Sequence, residues 1–418
     1  MRTGLTPAEA LRALLEVTPV MGAETLASRD ALGRVLVEPV VSTRCLPPAD
    51  NSAMDGYAVR AADVAHASPT TPVDLEVAFE VAAGAAGEGS LRPGEAARIL
   101  TGAPLPRGAD AVVRQEDAER AGDRVAVRIA PRPRENVRGA GEDVRVGEEV
   151  LGAGTLLGPA HLGMLASLGR STVSVHQRPR VAVLSSGDEL VEPDGEIAGG
   201  RIVSSNSYSI SAQCRELGAE PVYLGIARDT PEDLERRVRS GLRADVLVSS
   251  AGVSVGDRDY VRPVLEKLGC TWDFWGVRIK PGYPFAFGRC DEDGGPLVFA
   301  LPGNPVSAMV TFEQFVRPAL RKMTGHTAWF RPLIAVRLGE RLDKKAGRLH
   351  FVRVRLERRG GEVVARPTGS QSSGVLRSMT EAQGLLLFPA DATELREGDT
   401  ATVQVLDAAF LASPDPGF

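Results

Sequence analysis

Between residues 178 and 326 the chain alternates buried-strand runs with helix-start signals, and this rhythm predicts a doubly wound α/β domain with a mainly parallel sheet. Two further observations set its surroundings. Residues 46–138 carry strand alternation and turn signals, predicting an inserted β domain. Residues 327–418 return to strands, predicting a C-terminal β-barrel. The fold class read from these patterns is multidomain α/β plus β. An elongated split domain is formed from residues 1–45 and 139–177, the flanks of the inserted segment.

Taken in order, Thr6, Pro7 and Glu9 make a helix-start signature: an N-cap hydroxyl, a proline in the first turn and a capping-box acid. Leu11, Leu14 and Leu15 then form an apolar stripe, suited to packing or to a subunit contact. Residues 32–41 read as a strand, broken by Pro47 and Pro48. In the inserted segment, residues 73–81 and 125–129 alternate as strands around a glycine-rich turn at 84–89. Two turns there are chemically unusual: Asn51 to Tyr57, which holds Asp55, and Thr101 to Pro106, which is braced by prolines. Each alone is explained by ordinary Asx- or Pro-type turn chemistry. Residues 134–149 form a charged connector with Arg134, Arg138 and Asp143, either a solvated linker or an arginine patch for an anion. Residues 159–168 read as a helix and 173–176 as a strand.

In the α/β segment, residues 181–184, 221–226 and 245–249 are strands, and Ser204 and Thr230 cap the helices between them. Strands near 272–277, 284–287 and 297–301 precede a long helix over 306–323. The stretch from Asp245 to Val261 is central. Its apolar Val246, Leu247 and Val248 lead into Ser249, Ser250, Gly252, Ser254 and Gly256, then Asp257 and Asp259. Small residues bring backbone N–H groups close to an oxyanion, and carboxylates suit a divalent cation such as Mg²⁺. In a parallel sheet, Glu189, Asp229, Asp257 and Asp259 share one rim, and such a cluster of like charges favours a metal–phosphate site. Beyond it, residues 348–364 read as a hairpin across Gly360 and Gly361. The arginines there (Arg348, Arg353, Arg355, Arg358, Arg359) make a basic or merely solvated face.

Composition excludes several classes. With 43% hydrophobic and 25% charged residues the chain is globular, and a net charge of −5 gives no global field for nucleic acid. Its five histidines and four cysteines are dispersed, without zinc-ligand spacing. Neither an apolar leader nor a membrane-length run is evident, so the expectation is a cytoplasmic protein with reduced thiols and no membrane partner. Only five lysines occur, which makes Lys280, in a Lys-Pro-Gly loop, stand out.

Seven motifs occur in order along nearly the whole chain: Asn51-Ser-Ala-Met-Asp-Gly-Tyr-Ala, Thr101-Gly-Ala-Pro, Gly141-Glu-Asp, Ser186-Gly-Asp-Glu-Leu, Gly252-Val-Ser-Val-Gly-Asp, Lys280-Pro-Gly and Leu301-Pro-Gly-Asn-Pro-Val-Ser. Together they resemble the MoeA family of molybdopterin molybdenumtransferases, related to the E domain of gephyrin. The resemblance implies four subdomains: the elongated split one, the inserted β domain, a molybdopterin-binding α/β domain and the C-terminal barrel. It implies a homodimer with composite sites, and a reaction in which molybdate and adenylylated molybdopterin give molybdenum cofactor and AMP with a divalent cation.

By motif, Asp55, Thr101 and Asp143 would come from one subunit, and Glu189, Asp229, Asp257 and Asp259 from the other's α/β domain. Glu189, Asp229 and Asp259 would be the metal ligands. Ser249, Ser250, Gly252, Ser254 and Gly256 would bind the pterin-side phosphate, with Lys280, Arg138 and Thr101 as candidates for molybdate. Pro302 and Pro305 would shape the cleft wall. The molybdopterin adenylyltransferase is a further partner that the resemblance allows. Two departures occur: Ala251 and Tyr283 stand where the family usually has glycine and a second lysine. Rival readings are a molybdopterin adenylyltransferase and a non-catalytic molybdopterin-binding scaffold.

Overall fold

The computed structural model describes residues 1–84, 89–250, 260–290 and 294–412. The chain divides into two compact units, one of Met1–Glu24, Gly33–Val37 and Ser174–Phe418, the other of Thr25–Leu32 and Glu38–Val173.

The first unit is built on a seven-stranded sheet. Val246–Ser250, buried throughout, is an interior strand of it. Arg180–Ser186 and then Glu220–Ala227 flank it on one side and Leu297–Leu301 on the other, all parallel. Beyond Leu297–Leu301, the strands Ala286–Cys290 and Cys270–Val277 run antiparallel to their neighbours, and Arg2–Leu5 closes that edge in parallel. The period of two sorts the side chains. Val181, Val183, Val246, Val248 and Phe299 face Ile210 and the helix residues Val306, Phe312 and Phe315. Ala182, Leu184, Leu247 and Val298 face Leu234, Val238, Val264 and Leu265. Covering both faces is what makes these strands read as continuous apolar runs, each large side chain contributing roughly 1.5–3 kcal/mol of burial. The helix Pro231–Gly241 is capped as its sequence indicates, with the Thr230 hydroxyl accepting from the Asp233 N–H.

The same unit carries a closed barrel. Leu349–Arg359, Glu362–Pro367, Leu333–Leu338, Thr400–Val405 and Gly384–Phe388 pair in that order, and the last strand returns to the first. The expected hairpin across Gly360 and Gly361 joins the first two. A short strand, Ile279–Lys280, leaves the α/β layer and pairs in parallel with Leu349 and His350.

The second unit contains a six-stranded sheet in the order Ala111–Arg114, Gly56–Val59, Glu95–Ile99, Val73–Val81, Arg124–Val127, Ala118–Ala121. Tyr57, Val59, Leu75, Val113 and Val125 fill one of its faces. Pro159–Ser167 forms the expected second helix.

Five local readings differ from the structure. The capped first helix, Pro7–Val17, forms as expected, but Ala10 and Leu14 bury themselves in the α/β core instead of in a separate elongated domain. The preceding strand Arg2–Leu5 has an alternation too short to detect. Residues 32–41 do not form one strand: Gly33 turns at φ +72°, and only Val40–Val41 is a strand, with an isolated bridge at Leu36. The last helix contains a wider π turn, Phe312–Val316, between Pro305–Thr311 and Arg317–Met323. Pro318 follows directly; lacking an N–H and crowding the preceding turn, it cannot continue a regular ladder. Finally, Cys270 and Cys290, opposite each other on antiparallel strands, form a disulfide, while Cys45 and Cys214 are free thiols. Among the described residues no helix is long and apolar enough to cross a membrane.

Candidate functional site

In the second unit, three loops that look separate in sequence are tied together. Asp55 accepts from both the Thr101 backbone N–H (2.6 Å) and the Thr101 hydroxyl (2.8 Å) through one carboxylate oxygen. These bonds hold the Asp55 carboxyl below its usual range, the backbone N–H having the larger effect. The strand pair Asn51–Ser52 and Val137–Arg138 sets Arg138 opposite Asn51, and Pro104 bridges to Asn51 from the Thr101 loop. The Asp143 N–H donates to the Leu46 carbonyl.

Arg134, read from sequence as part of an anion patch, is committed to Asp50 through two hydrogen bonds of 2.9 and 3.3 Å. Asp50 also accepts from the Ala140 N–H. The Asp50–Arg134 pair thus fixes the connector that carries Arg138 and Asp143. Arg138 itself is exposed and makes no ion pair among the described residues.

In the first unit, the parallel strands end at a common rim. Asp188 and Asp229 follow neighbouring strands, and each takes the other's backbone N–H on its carboxylate, at 3.2 and 3.4 Å. Glu189 folds back over Gly187, where a Cβ would lie only 2.6 Å from its carboxylate oxygen, so any side chain at 187 would push that carboxylate aside. Ser249 and Ser250 are buried at the end of the central strand, and the Ser250 hydroxyl bonds to that of Ser185 at 3.0 Å. Pro302 is buried and Pro305 half-buried after the adjacent strand, and the Gly303 carbonyl accepts from Asn206. Glu189 and Asp229 offer only carboxylate oxygens, the donor chemistry that Mg²⁺ takes. Among the described residues no group of three or more His, Cys, Asp or Glu converges as a metal site. The expected Gly252, Ser254, Gly256, Asp257 and Asp259, and Ala251 beside them, lie outside the described residues.

A third group was not recognised in the sequence. Arg353 is fully buried instead of lying on a basic face. Its guanidinium donates to the Ser378 hydroxyl and to the Ser370 and Ser372 carbonyls, but its Nη1 has no partner. Burial lowers its pKa to about 10, which leaves it charged at neutral pH. His350, also buried, has an unpartnered Nε2. Burial pushes its imidazole down to about 4, helped by the charges of Lys280, Arg353 and Lys344. These cations therefore gather around one neutral ring, and Asp391 partly offsets the charge at Lys344.

The cationic group is joined to the helix that follows Pro305. The Ser373 carbonyl, next to Arg353's acceptor Ser372, takes the Val306 N–H just after Pro305. Gly282, in the Lys280 loop, lies against Thr311 of the same helix, so closely that a Cβ would come within 2.5 Å of its methyl group. A desolvated guanidinium with an unfilled donor is suited to a small oxyanion. The signal available in sequence was weak: an arginine on an alternating strand, near a serine-rich turn.

Comparison with known proteins agrees with this layout. Residues 5–169 match the MoeA N-terminal region (domain I and II), residues 182–322 a probable molybdopterin binding domain, and residues 335–406 the MoeA C-terminal region (domain IV). The chain is 39% identical over 382 residues to a molybdopterin molybdenumtransferase of Nostoc sp., covering 89% of this chain and 86% of that one. It is 35% identical to the corresponding Haemophilus influenzae protein, covering 96% and 98%. Among solved structures, the molybdopterin biosynthesis MoeA protein of Pyrococcus horikoshii superposes with a TM-score of 0.82 at 33% identity, over 96% of this chain and 99% of that one. The chain belongs to the MoeA family, the molybdopterin molybdenumtransferases.

Proposed function

We propose that this protein inserts molybdenum from molybdate into adenylylated molybdopterin and releases AMP. The observation that carries the reading is the buried Arg353, with its unfilled Nη1, whose acceptor loop is hydrogen-bonded through Ser373 to Val306, just after Pro305. A phosphate-linked pterin and a tetrahedral metal oxyanion need two environments side by side: one arranged for a cation and pyrophosphate, one for a dianion.

In this reading Ser249, Ser250, Gly252, Ser254, Gly256 and Asp257 bind the pterin side, and Lys280 and Arg353 draw in molybdate. Glu189, Asp229 and Asp259 would hold a divalent cation, which when bound neutralises charge on the pyrophosphate as AMP leaves. Pro302 and Pro305 stiffen the cleft wall. The pterin dithiolene sulfurs take up the metal, so no protein thiol is consumed. The protein acts as a homodimer in which Asp55, Thr101, Arg138 and Asp143 of one protomer complete the site of its partner. Asp55, already ionised and aligned by Thr101, keeps its charge throughout.

The test mixes the purified protein with adenylylated molybdopterin, Mg²⁺ and molybdate, and follows AMP together with activation of an apo-molybdoenzyme. Molybdate-dependent appearance of both is expected. ATP-dependent adenylylation of free molybdopterin would instead reassign the protein as the adenylyltransferase, and tight binding without AMP would make it a scaffold.

A further inference from the structure

The ring of Tyr283 is fixed by its neighbours. It lies on Gly276, where a Cβ would meet its Cζ at 3.3 Å and its hydroxyl at 3.4 Å. Trp275 meets it edge-on, with 5.9 Å between centroids and 89° between planes. Its carbonyl accepts from the Val277 N–H, which holds the backbone as well. Above the ring sits the Arg348 guanidinium, 4.7 Å from the centroid.

Arg348 is exposed and makes no ion pair among the described residues. Its main chain is anchored: its carbonyl accepts from Lys344 Nζ at 3.1 Å, and the next N–H, that of Leu349, donates to the Arg278 carbonyl. A long side chain with no carboxylate to hold it ordinarily spreads over many rotamers, and an aromatic face is what limits that spread. The parallel register puts Lys280 opposite His350, and Arg348 immediately precedes the strand that Lys280 joins, its carbonyl held by Lys344, whose ammonium feels the charge of Lys280.

We propose that Tyr283 is a positioning residue whose ring holds the Arg348 guanidinium beside Lys280, so that Arg348 forms a further, solvent-facing cation of the oxyanion site. The proposal rests on molybdate being the substrate. Arginine suits the task because its planar fork donates to two oxygens of a tetrahedral anion, and stacking leaves that fork free.

The full-length protein is tested as Tyr283→Leu, Tyr283→Phe, Arg348→Gln and the double variant Tyr283→Leu with Arg348→Gln. Molybdate KM is read from AMP release, and molybdate Kd from calorimetry with molybdate alone. Tyr283→Leu and Arg348→Gln should each raise KM and Kd by about three- to fivefold, more than they change kcat. Tyr283→Phe should restore the affinity, and the double variant should be no weaker than Arg348→Gln. The proposal is overturned if Arg348→Gln leaves KM and Kd unchanged, if the two effects multiply, or if Tyr283→Phe behaves as Tyr283→Leu. AMP release with a molybdate KM indifferent to all four variants would sink the clamp and leave the reaction standing. Molybdate binding that follows the variants without any AMP release would do the reverse.

Discussion

At the rim of the parallel sheet, Asp188 and Asp229 each receive a backbone N–H from the other; at the barrel edge, Arg353 and His350 each keep a buried nitrogen with no partner. Both regions concentrate like charges, yet they tolerate that concentration differently. The acids stay close to solvent and are steadied by amides. On the cationic side Arg353 is withdrawn from water while Lys280 stays exposed, and the buried His350 gives up its charge altogether. Acids so arranged are ready for a cation that arrives with its own water. A desolvated guanidinium is ready for an anion that must lose its water to bind.

The sharpest way to break this contrast is Arg353→Leu. Loss of the guanidinium leaves the Ser370 and Ser372 carbonyls without their donor, so the thermal midpoint should fall by a few degrees, while kcat/KM for molybdate falls about a hundredfold. A collapsed fold with normal kinetics in the surviving protein would make Arg353 structural. On the acidic side, Asp229→Asn keeps an oxygen to accept the Asp188 N–H but removes the charge. About tenfold more Mg²⁺ should then be needed for half-maximal AMP release, with little change in melting. An unchanged Mg²⁺ titration would remove Asp229 from the cation site. Between the two regions lies Gly282, at φ +106° and pressed on Thr311. Gly282→Ala should cost roughly 2 kcal/mol, seen as a lower denaturant midpoint, because backbone strain and a steric clash add.

The smallest effect concerns pH. The folded His350 titrates near 4, below its unfolded value, so between those limits the unfolded chain binds more protons. Its contribution is full above about pH 6.5 and is lost as pH falls toward about 4. Melting curves of the wild type should slope more steeply over that window than those of His350→Gln; parallel curves would show that His350 is not held neutral.

What could be read from the sequence divides along the same line. The acidic rim depends on local signals. Val246 to Val248 mark a strand, Thr230 marks a helix start, and the carboxylates follow within a few residues, so their neighbourhood comes from one parallel sheet. The cation group depends on pairings between distant strands. Arg353 and Arg355 are two residues apart on one strand, yet Arg353 is covered by residues 370–378 while Arg355 reaches Glu381 at the surface. No periodicity separates them. The same reason hid the Asp50–Arg134 clamp, the meeting of Lys280 with His350 and the Cys270–Cys290 bond, each set by register. Residues 32–41 failed in the opposite sense: their apolar content suited a strand, but Gly33 turns the chain and the buried Arg34 pairs with Glu24.

The edge strand Arg2–Leu5 pairs with Phe274 to Val277, so about 270 residues must be made after this strand before its partner exists. During synthesis the helix Pro7–Val17 emerges with its apolar side uncovered, since the strands and helix that bury Ala10 and Leu14 come far later. The nascent protein must therefore carry an uncovered adhesive segment until those distant partners have been made. A polypeptide fused ahead of Met1 would load the strand that seals the finished sheet, whereas one appended after the barrel would not burden that closure.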